Sequence, residues 1–291
     1  MKLATTALLA ALSLSITASF AATDPDLKVL LRKGRAIESS GEPLKALPVF
    51  ESALKSANAK SPGSLDEAEA LTELGECYRA LGQSARALPL LEKAIDIAGK
   101  KGDHEISVAA LANLALLLSD AGKYQDSFAC YARCLSEMGK LPHPDMATRA
   151  KLENNMGLLL DKSQSYDKAI EMYQLCLDHC AGDDSLHGLH ASCLGNMAMS
   201  YRSWKKLPQA EEYASKAVNE AKESLGEDNL DTGFALAQQG IIFNEEHKYK
   251  EAKPVLSQAI EILTKSLGSD HPQVTNMKET YAECLAGLKG R

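Results

Sequence analysis

A period of 40 to 42 residues runs through most of this chain, and it constrains the fold more than any other feature. The segments PLKALPVFESAL, SARALPLLEKAI, YQDSFACYARCL, YDKAIEMYQLCL, LPQAEEYASKAV and YKEAKPVLSQAI share one frame. A small residue recurs in it at Ala46, Ala87, Ser127, Ala169, Ala210 and Ala252, with spacings of 41, 40, 42, 41 and 42. Seven residues later comes a second small residue, at Ala53, Ala94, Cys134, Cys176, Ala217 and Ala259. Twelve residues before the anchor comes a third, at Gly34, Gly75, Ala115, Gly157, Ala198 and Gly240. Large residues follow three further on from these, at Ile37, Tyr78, Leu118, Leu160, Tyr201 and Phe243. A unit of this length cannot bury an apolar face alone, so neighbouring units must stack.

The order small, large, small predicts two antiparallel helices per unit, A and B. Small residues let the two axes approach, and large ones fill the grooves beside them. Gly41, Gly82 and Gly122 fall between the helices in the first three units, where a helix stop is needed. Pro48, Pro89 and Pro254 share one slot, two residues after the small anchor. Helix B is therefore expected to begin only a few residues earlier, since proline is tolerated near a helix start and not deep inside. No Pro/Gly-rich linker separates the units, which predicts one solenoid domain.

This residue order resembles the tetratricopeptide repeat. The long spacing, with the inter-repeat segments LPHPDMAT, LGEDNLDT and LGSDHPQVT, is similar to the kinesin light chain type of that repeat. The resemblance covers Leu27 to the C-terminus. It lacks the Trp common early in the unit, since Trp204 falls in a turn, and the coiled coil of the motor subunit. The resemblance implies an all-α fold, an α-solenoid of antiparallel helix pairs forming a tetratricopeptide superhelix. It implies about six repeats within residues 22–291, closed by a capping helix from Gln273 to Lys289. It does not imply a motor function.

The first helices would line the concave side of such a superhelix. Their sixth position reads Arg32, Glu73, Asn113, Asn155, Asn196 and Gln238. Asn costs a helix roughly half a kcal/mol or more relative to Ala, yet Asn154 stands beside Asn155 in LENNMGLLL. An amide offers two donors and an acceptor, the groups needed to hold a peptide backbone. Proteins resembling kinesin light chain use such ladders to clamp extended peptides. The ninth position would add apolar contacts through Leu116, Leu158, Met199 and Ile241. The competing reading is that these amides only bond neighbouring helices. The tetratricopeptide variant that grips a C-terminal carboxylate pair needs Lys and Arg at set positions. Lys151 fits, but Thr72 and Glu76 stand where Lys and Asn belong, so no carboxylate clamp is expected. The remaining groove charges, Arg79, Asp120, Asp161, Lys162, Arg202 and Glu245, are of mixed sign.

A formal net charge of -7 argues against a nucleic-acid partner. Met1-Lys2, the apolar run ATTALLAALSLSI and the small residues Ser19 and Ala21 read as a secretory signal peptide over residues 1–21. The mature chain is then expected to be exported, periplasmic or secreted, with no stable membrane insertion once the signal is removed. Seven Cys leave at least one unpaired. Cys134 and Cys176 occupy small-residue slots, as packed thiols would. Cys180 and Cys193 flank one inter-helix loop and are the disulfide candidate. The segment HCAGDDSLHGLHASC offers His187, His190, Cys180 and Cys193 as weak metal candidates, at a spacing that fits no established template. No H-E-x-x-H, G-x-S-x-G or phosphate loop occurs. The expectation is a non-enzymatic scaffold or adaptor without a cofactor, holding a protein or extended peptide. The alternatives are a self-associating structural protein with an inert groove, and a metal or redox protein built on residues 179–193.

Overall fold

The alternation of A and B helices follows from one turn used six times. Ile37, Tyr78, Leu118, Leu160, Tyr201 and Phe243 each give their carbonyl to the backbone N–H five residues on, at Glu42, Gln83, Lys123, Ser165, Lys206 and Lys248. This is the Schellman closure of helix A, and it requires a left-handed residue just before the last donor. That residue has a positive φ in every repeat: Gly41, Gly82, Gly122, Gln164, Lys205 and His247. The carbonyl of the same donor residue then accepts from the small anchor, Ala46, Ala87, Ser127, Ala169, Ala210 or Ala252, and so opens helix B. One residue therefore ends one helix and caps the next.

A computed structural model describes residues 25–290. Among them are thirteen α-helices and no strand. The A helices are α1 (Pro25–Ser39), α3 (Leu65–Ala80), α5 (His104–Asp120), α7 (Met146–Lys162), α9 (His187–Ser203), α11 (Leu230–Glu245) and α13 (Pro272–Lys289). The B helices are α2 (Pro43–Lys60), α4 (Ser84–Lys101), α6 (Tyr124–Met138), α8 (Tyr166–Cys180), α10 (Leu207–Leu225) and α12 (Tyr249–Leu267). Helix α13 covers the stretch expected to cap the array. The expected signal peptide, residues 1–21, lies outside the described residues. No helix among the described residues is long and apolar enough to cross a membrane.

The chain forms two compact units, 25–152 and 153–290, with the boundary inside α7. In the first, α1 through α6 pack each on the next, and α1 and α5 also touch α3. In the second, α8 through α13 pack each on the next, and α9 and α13 also touch α11. In both, the A–B contact is close because one side of it has no side chain. An added Cβ at Gly75 would stand 2.7 Å from Leu91, at Gly157 2.5 Å from Tyr173, and at Gly240 2.5 Å from Leu256. Ala198 shares its register with a small B-helix residue, Ala214, in one buried cluster, whereas Ala115 shares its register with the full-size, buried Tyr131. Phe50, Leu91, Tyr131, Tyr173 and Leu256, which fill the equivalent slot elsewhere, are all within 1% of full burial. A fully buried side chain of this size contributes roughly 1.5–3 kcal/mol.

The prolines sit deeper than expected. Pro48, Pro89 and Pro254 are the sixth residues of α2, α4 and α12. Each removes a donor for the carbonyl four residues back, at Leu44, Ala85 or Lys250. All three of those residues are exposed, so water can satisfy the freed carbonyl and the usual cost of an interior proline is reduced.

Candidate functional site

Polar side chains are buried almost entirely on the A helices. Glu67, Glu69, Thr72, Glu73 and Glu76 on α3, Ser107 and Asn113 on α5, Thr148, Glu153, Asn154 and Asn155 on α7, Asn196 and Ser200 on α9, and Thr232 and Gln238 on α11 are all buried. Ser127 on α6 is the sole buried polar residue of a B helix among the described residues, and its hydroxyl donates to the Ala115 carbonyl at 2.6 Å. Buried polar groups need partners. The A-helix face is where this chain places both its polar groups and the demands they make.

In the second unit the centre of this face is Asn154, which is 0% exposed. Its carbonyl oxygen accepts from Asn196 Nδ2 at 3.0 Å and from the Cys193 thiol at 3.3 Å. Its own Nδ2 lies 3.5 Å from Asn155 Oδ1. The paired asparagines of LENNMGLLL thus join α7 to α9 across one repeat. Asp161, two turns further along α7, accepts from Ser200 Oγ at 2.5 Å and from Tyr173 Oη at 2.7 Å. Burial pushes the Asp161 carboxyl above its ordinary range, against the pull of those two donors. Asn196 and Gln238 then line one small cleft with Ala191, Ser192, Asp231, Phe234 and Ala235, between α9 and α11. Met199 is half-buried.

In the first unit the face is acidic. The Arg35 guanidinium of α1 donates to Glu69 Oε1 at 2.8 Å and to Glu73 Oε1 at 2.7 Å. Glu38, Glu73 and Glu76 each bring one carboxylate oxygen to within 4.8 Å of the other two. At that separation two full charges repel by roughly 3–4 kcal/mol at an effective dielectric of about 20. Burial first, then Glu73 and Glu38, push the Glu76 carboxyl up to about 8. Burial and Glu73 push Glu38 up to about 7, against the pull of Arg79. Asn113 donates to Glu76 Oε2 at 3.4 Å, and its Oδ1 is buried without a partner. Leu116 on α5 and Leu158 on α7 are 6% and 7% exposed.

The remaining groove charges pair along the face within each unit. Arg79 meets Asp120 at 3.4 Å. Arg202 and Lys205 both reach Glu245, the latter at 2.9 Å, and together they hold that carboxyl below its ordinary range despite its burial.

The four weak metal candidates do not share one centre. His187 Nδ1 lies 2.8 Å from Glu220 Oε1, and His190 Nδ1 lies 3.7 Å from Glu220 Oε2. Cys180 and Cys193 are buried, and all seven cysteines are free thiols, so the candidate Cys180–Cys193 disulfide is not formed. The hydrogen bond to Cys176 and burial push the Cys180 thiol up, and burial does the same at Cys134 and Cys77. Thiols held protonated in this way are poor nucleophiles.

The acidic group was not singled out in the sequence, although a signal for it exists. The ninth position is apolar in the later repeats but reads Arg35 and Glu76 in the first two. With Arg32 and Glu73 at position six, and Glu38 and Arg79 at position twelve, the charges recur every three residues. That spacing puts them on one helix face.

The chain matches the tetratricopeptide repeat family over residues 26–100, 66–138, 148–219 and 190–265. It belongs to that family. Repeats of this kind generally mediate protein–protein interactions, and the fold is typically a non-enzymatic scaffold. The chain is similar to a signal transduction ATPase with numerous domains from Pyrococcus horikoshii that carries a tetratricopeptide repeat sensor. The two are 18% identical with a TM-score of 0.72 over 91% of this chain. This chain spans only 39% of that protein. It is also similar to the apo form of the quorum sensor NprR from B. thuringiensis, at 15% identity and a TM-score of 0.70, covering 87% of this chain and 68% of that one. The apo form of RapI matches at 13% identity and a TM-score of 0.64, covering 91% of this chain and all of that one. These likenesses are of fold. No curated protein matches the chain significantly.

Proposed function

We propose that this chain is an exported interaction scaffold, periplasmic or secreted, which holds an extended peptide or protein segment along the A-helix face. The observation that carries the reading is the cleft between α9 and α11. Asn196 and Gln238, one repeat apart in register, line it together with the half-buried ring of Phe234. Amides beside an aromatic edge offer a peptide backbone hydrogen bonds without regard to its sequence. Asn155 and Asn154 continue the polar register on α7, and Asn113 occupies the same repeat position in the first unit, beside Leu116. Leu158 and Met199 supply the apolar slot in the second unit. The amides are mostly buried, so a ligand must exchange with bonds such as Asn196–Asn154 rather than add to free groups. That exchange favours a partner whose backbone replaces them one for one. The kinesin light chain type of repeat, with its long period, agrees with this use.

A display library of random extended peptides, selected on the chain from Ala22 onward, tests the reading. Peptides enriched on the wild type are expected to lose at least tenfold in affinity on N196A/Q238A and on F234A, with circular dichroism unchanged. Equal binding to all three proteins refutes the groove assignment. Failure to enrich any peptide, together with concentration-dependent self-association, shifts the reading to a structural protein.

A further inference from the structure

The three carboxylates that converge from α1 and α3 have a chemistry that peptide binding leaves unused. Glu38, Glu73 and Glu76 each offer an oxygen within 4.8 Å of the other two. Ligands on opposite sides of an ion at Ca2+–oxygen distances of about 2.3–2.6 Å stand about that far apart. The donors are all oxygen, which selects a hard cation over zinc or copper. Four carboxylates, Glu38, Glu69, Glu73 and Glu76, share two guanidiniums, Arg35 and Arg79, and Arg79 also meets Asp120 at 3.4 Å.

A second observation points to the same place. Asn113 is 3% exposed, its amide nitrogen is directed at Glu76 Oε2 at 3.4 Å, and its carbonyl oxygen has no partner. Glu38 Oε1 is likewise buried without a partner. A half-turn of the Asn113 amide exchanges its two ends and directs the orphaned oxygen at the carboxylates. There the oxygen would meet either the proton of a carboxyl or a bound cation, and only the cation also satisfies the remaining carboxylate oxygens.

We propose that Glu38, Glu73 and Glu76, with the side-chain carbonyl of Asn113, bind one hard divalent cation, Ca2+ in the first instance. Arg35 holds Glu69 and one oxygen of Glu73, and so fixes the rim of the site while a second carboxylate oxygen of Glu73 remains to ligate. No other repeat can build the same centre, since position nine turns apolar at Leu116, Leu158, Met199 and Ile241. The proposal is independent of the peptide reading, which is carried by the cleft between α9 and α11.

The test is isothermal titration of the chelator-stripped full chain with CaCl2, MgCl2 and MnCl2 at pH 8. One equivalent of Ca2+ is expected to bind, with affinity reduced at least tenfold in E76Q and in E38Q, several-fold in N113A, and unchanged in the exposed control E283Q. E38Q alters the least buried of the three ligands and serves if E76Q does not fold. The absence of binding to any of the three ions at millimolar concentration overturns the proposal. Unaltered binding in both E76Q and E38Q overturns it too, by placing the ion elsewhere. A lysine- or arginine-containing tripeptide that binds the stripped chain and is not displaced by Ca2+ assigns the carboxylates to a cationic side chain of a partner instead.

Discussion

Replacing Gly157 by Ala probes one of the close A–B contacts of the second unit. An added Cβ would lie 2.5 Å from Tyr173 Cε1 and 2.8 Å from its Cδ1 and Cζ. Carbon atoms pack best at about 3.5–4.0 Å, so the ring must retreat by about 1 Å. Tyr173 is 0% exposed and has nowhere open to go. Its hydroxyl would also leave Asp161, which it now meets at 2.7 Å. Overpacking costs about 1–3 kcal/mol, and a weakened bond to a buried carboxylate adds about 1 kcal/mol or more. Better helix propensity returns about 1 kcal/mol. The expected net destabilisation is then about 1–3 kcal/mol, read as a lower urea midpoint at unchanged m-value. Y173A alone should cost about 3–5 kcal/mol. G157A/Y173A should cost no more than Y173A, because it recreates the Ala198 and Ala214 pairing of the next repeat. A G157A midpoint within error of wild type, or a double variant whose cost is the sum of the two singles, refutes the account of small residues as spacers.

The left-handed turn gives a second test. Gln164, Lys205 and His247 hold φ near 60°, which costs a non-glycine residue about 1 kcal/mol. Q164G and K205G should each raise stability by up to about 1 kcal/mol in thermal melts, and H247G by less, because His247 Nδ1 also meets Tyr249 Oη at 2.7 Å. The acidic group predicts a pH dependence. Glu76 is raised to about 8, so between about pH 4.5 and 8 the folded chain holds a proton that the unfolded chain has released. Unfolding free energy therefore falls as pH rises through that window. In chelator, stability should drop by roughly 2 kcal/mol or more from pH 6 to pH 8, and E76Q should lessen that slope while leaving the share carried by Glu38.

Much of the fold was legible because packing leaves a periodic mark. Gly34, Gly75, Gly157 and Gly240 lie where a side chain would meet Phe50, Leu91, Tyr173 and Leu256, so their spacing gave the phase of every unit. Gly41, Gly82 and Gly122 marked the turn, but Gln164, Lys205 and His247 carried no such signal, since many residue types can be forced into that conformation at modest cost. The prolines misled slightly, because an exposed carbonyl makes a sixth-position proline tolerable. Asn113, Asn155 and Asn196 were legible as a register, but their burial was not. One-dimensional spacing tells which helix face a residue occupies and not how far the neighbouring helix covers it. The acidic group is less legible for a related reason: its members do not recur in one slot but are spread over positions six, nine and twelve of two repeats.

The two units resolve the polar demand of the A-helix face differently, and this bears on what each can bind. In residues 153–290 the amides and the carboxylate of Asp161 are largely satisfied by one another and by Tyr173, Ser200 and Cys193. A ligand there competes with existing bonds, which selects for shape and register over charge. Each unit leaves orphans, Asn244 Oδ1 on α11 in the second and Glu38 Oε1 and Asn113 Oδ1 in the first, but only in residues 25–152 do they lie among converging carboxylates. A ligand there gains the bonds it makes without breaking equal ones, provided it is positive. A cation bound by the first unit should raise the thermal stability of wild type and not of E76Q. Peptide affinity at the α9–α11 cleft should change little with Ca2+, because none of the cation ligands lines it. A peptide affinity that rises tenfold with Ca2+ in wild type and not in E76Q would show instead that the two sites are coupled.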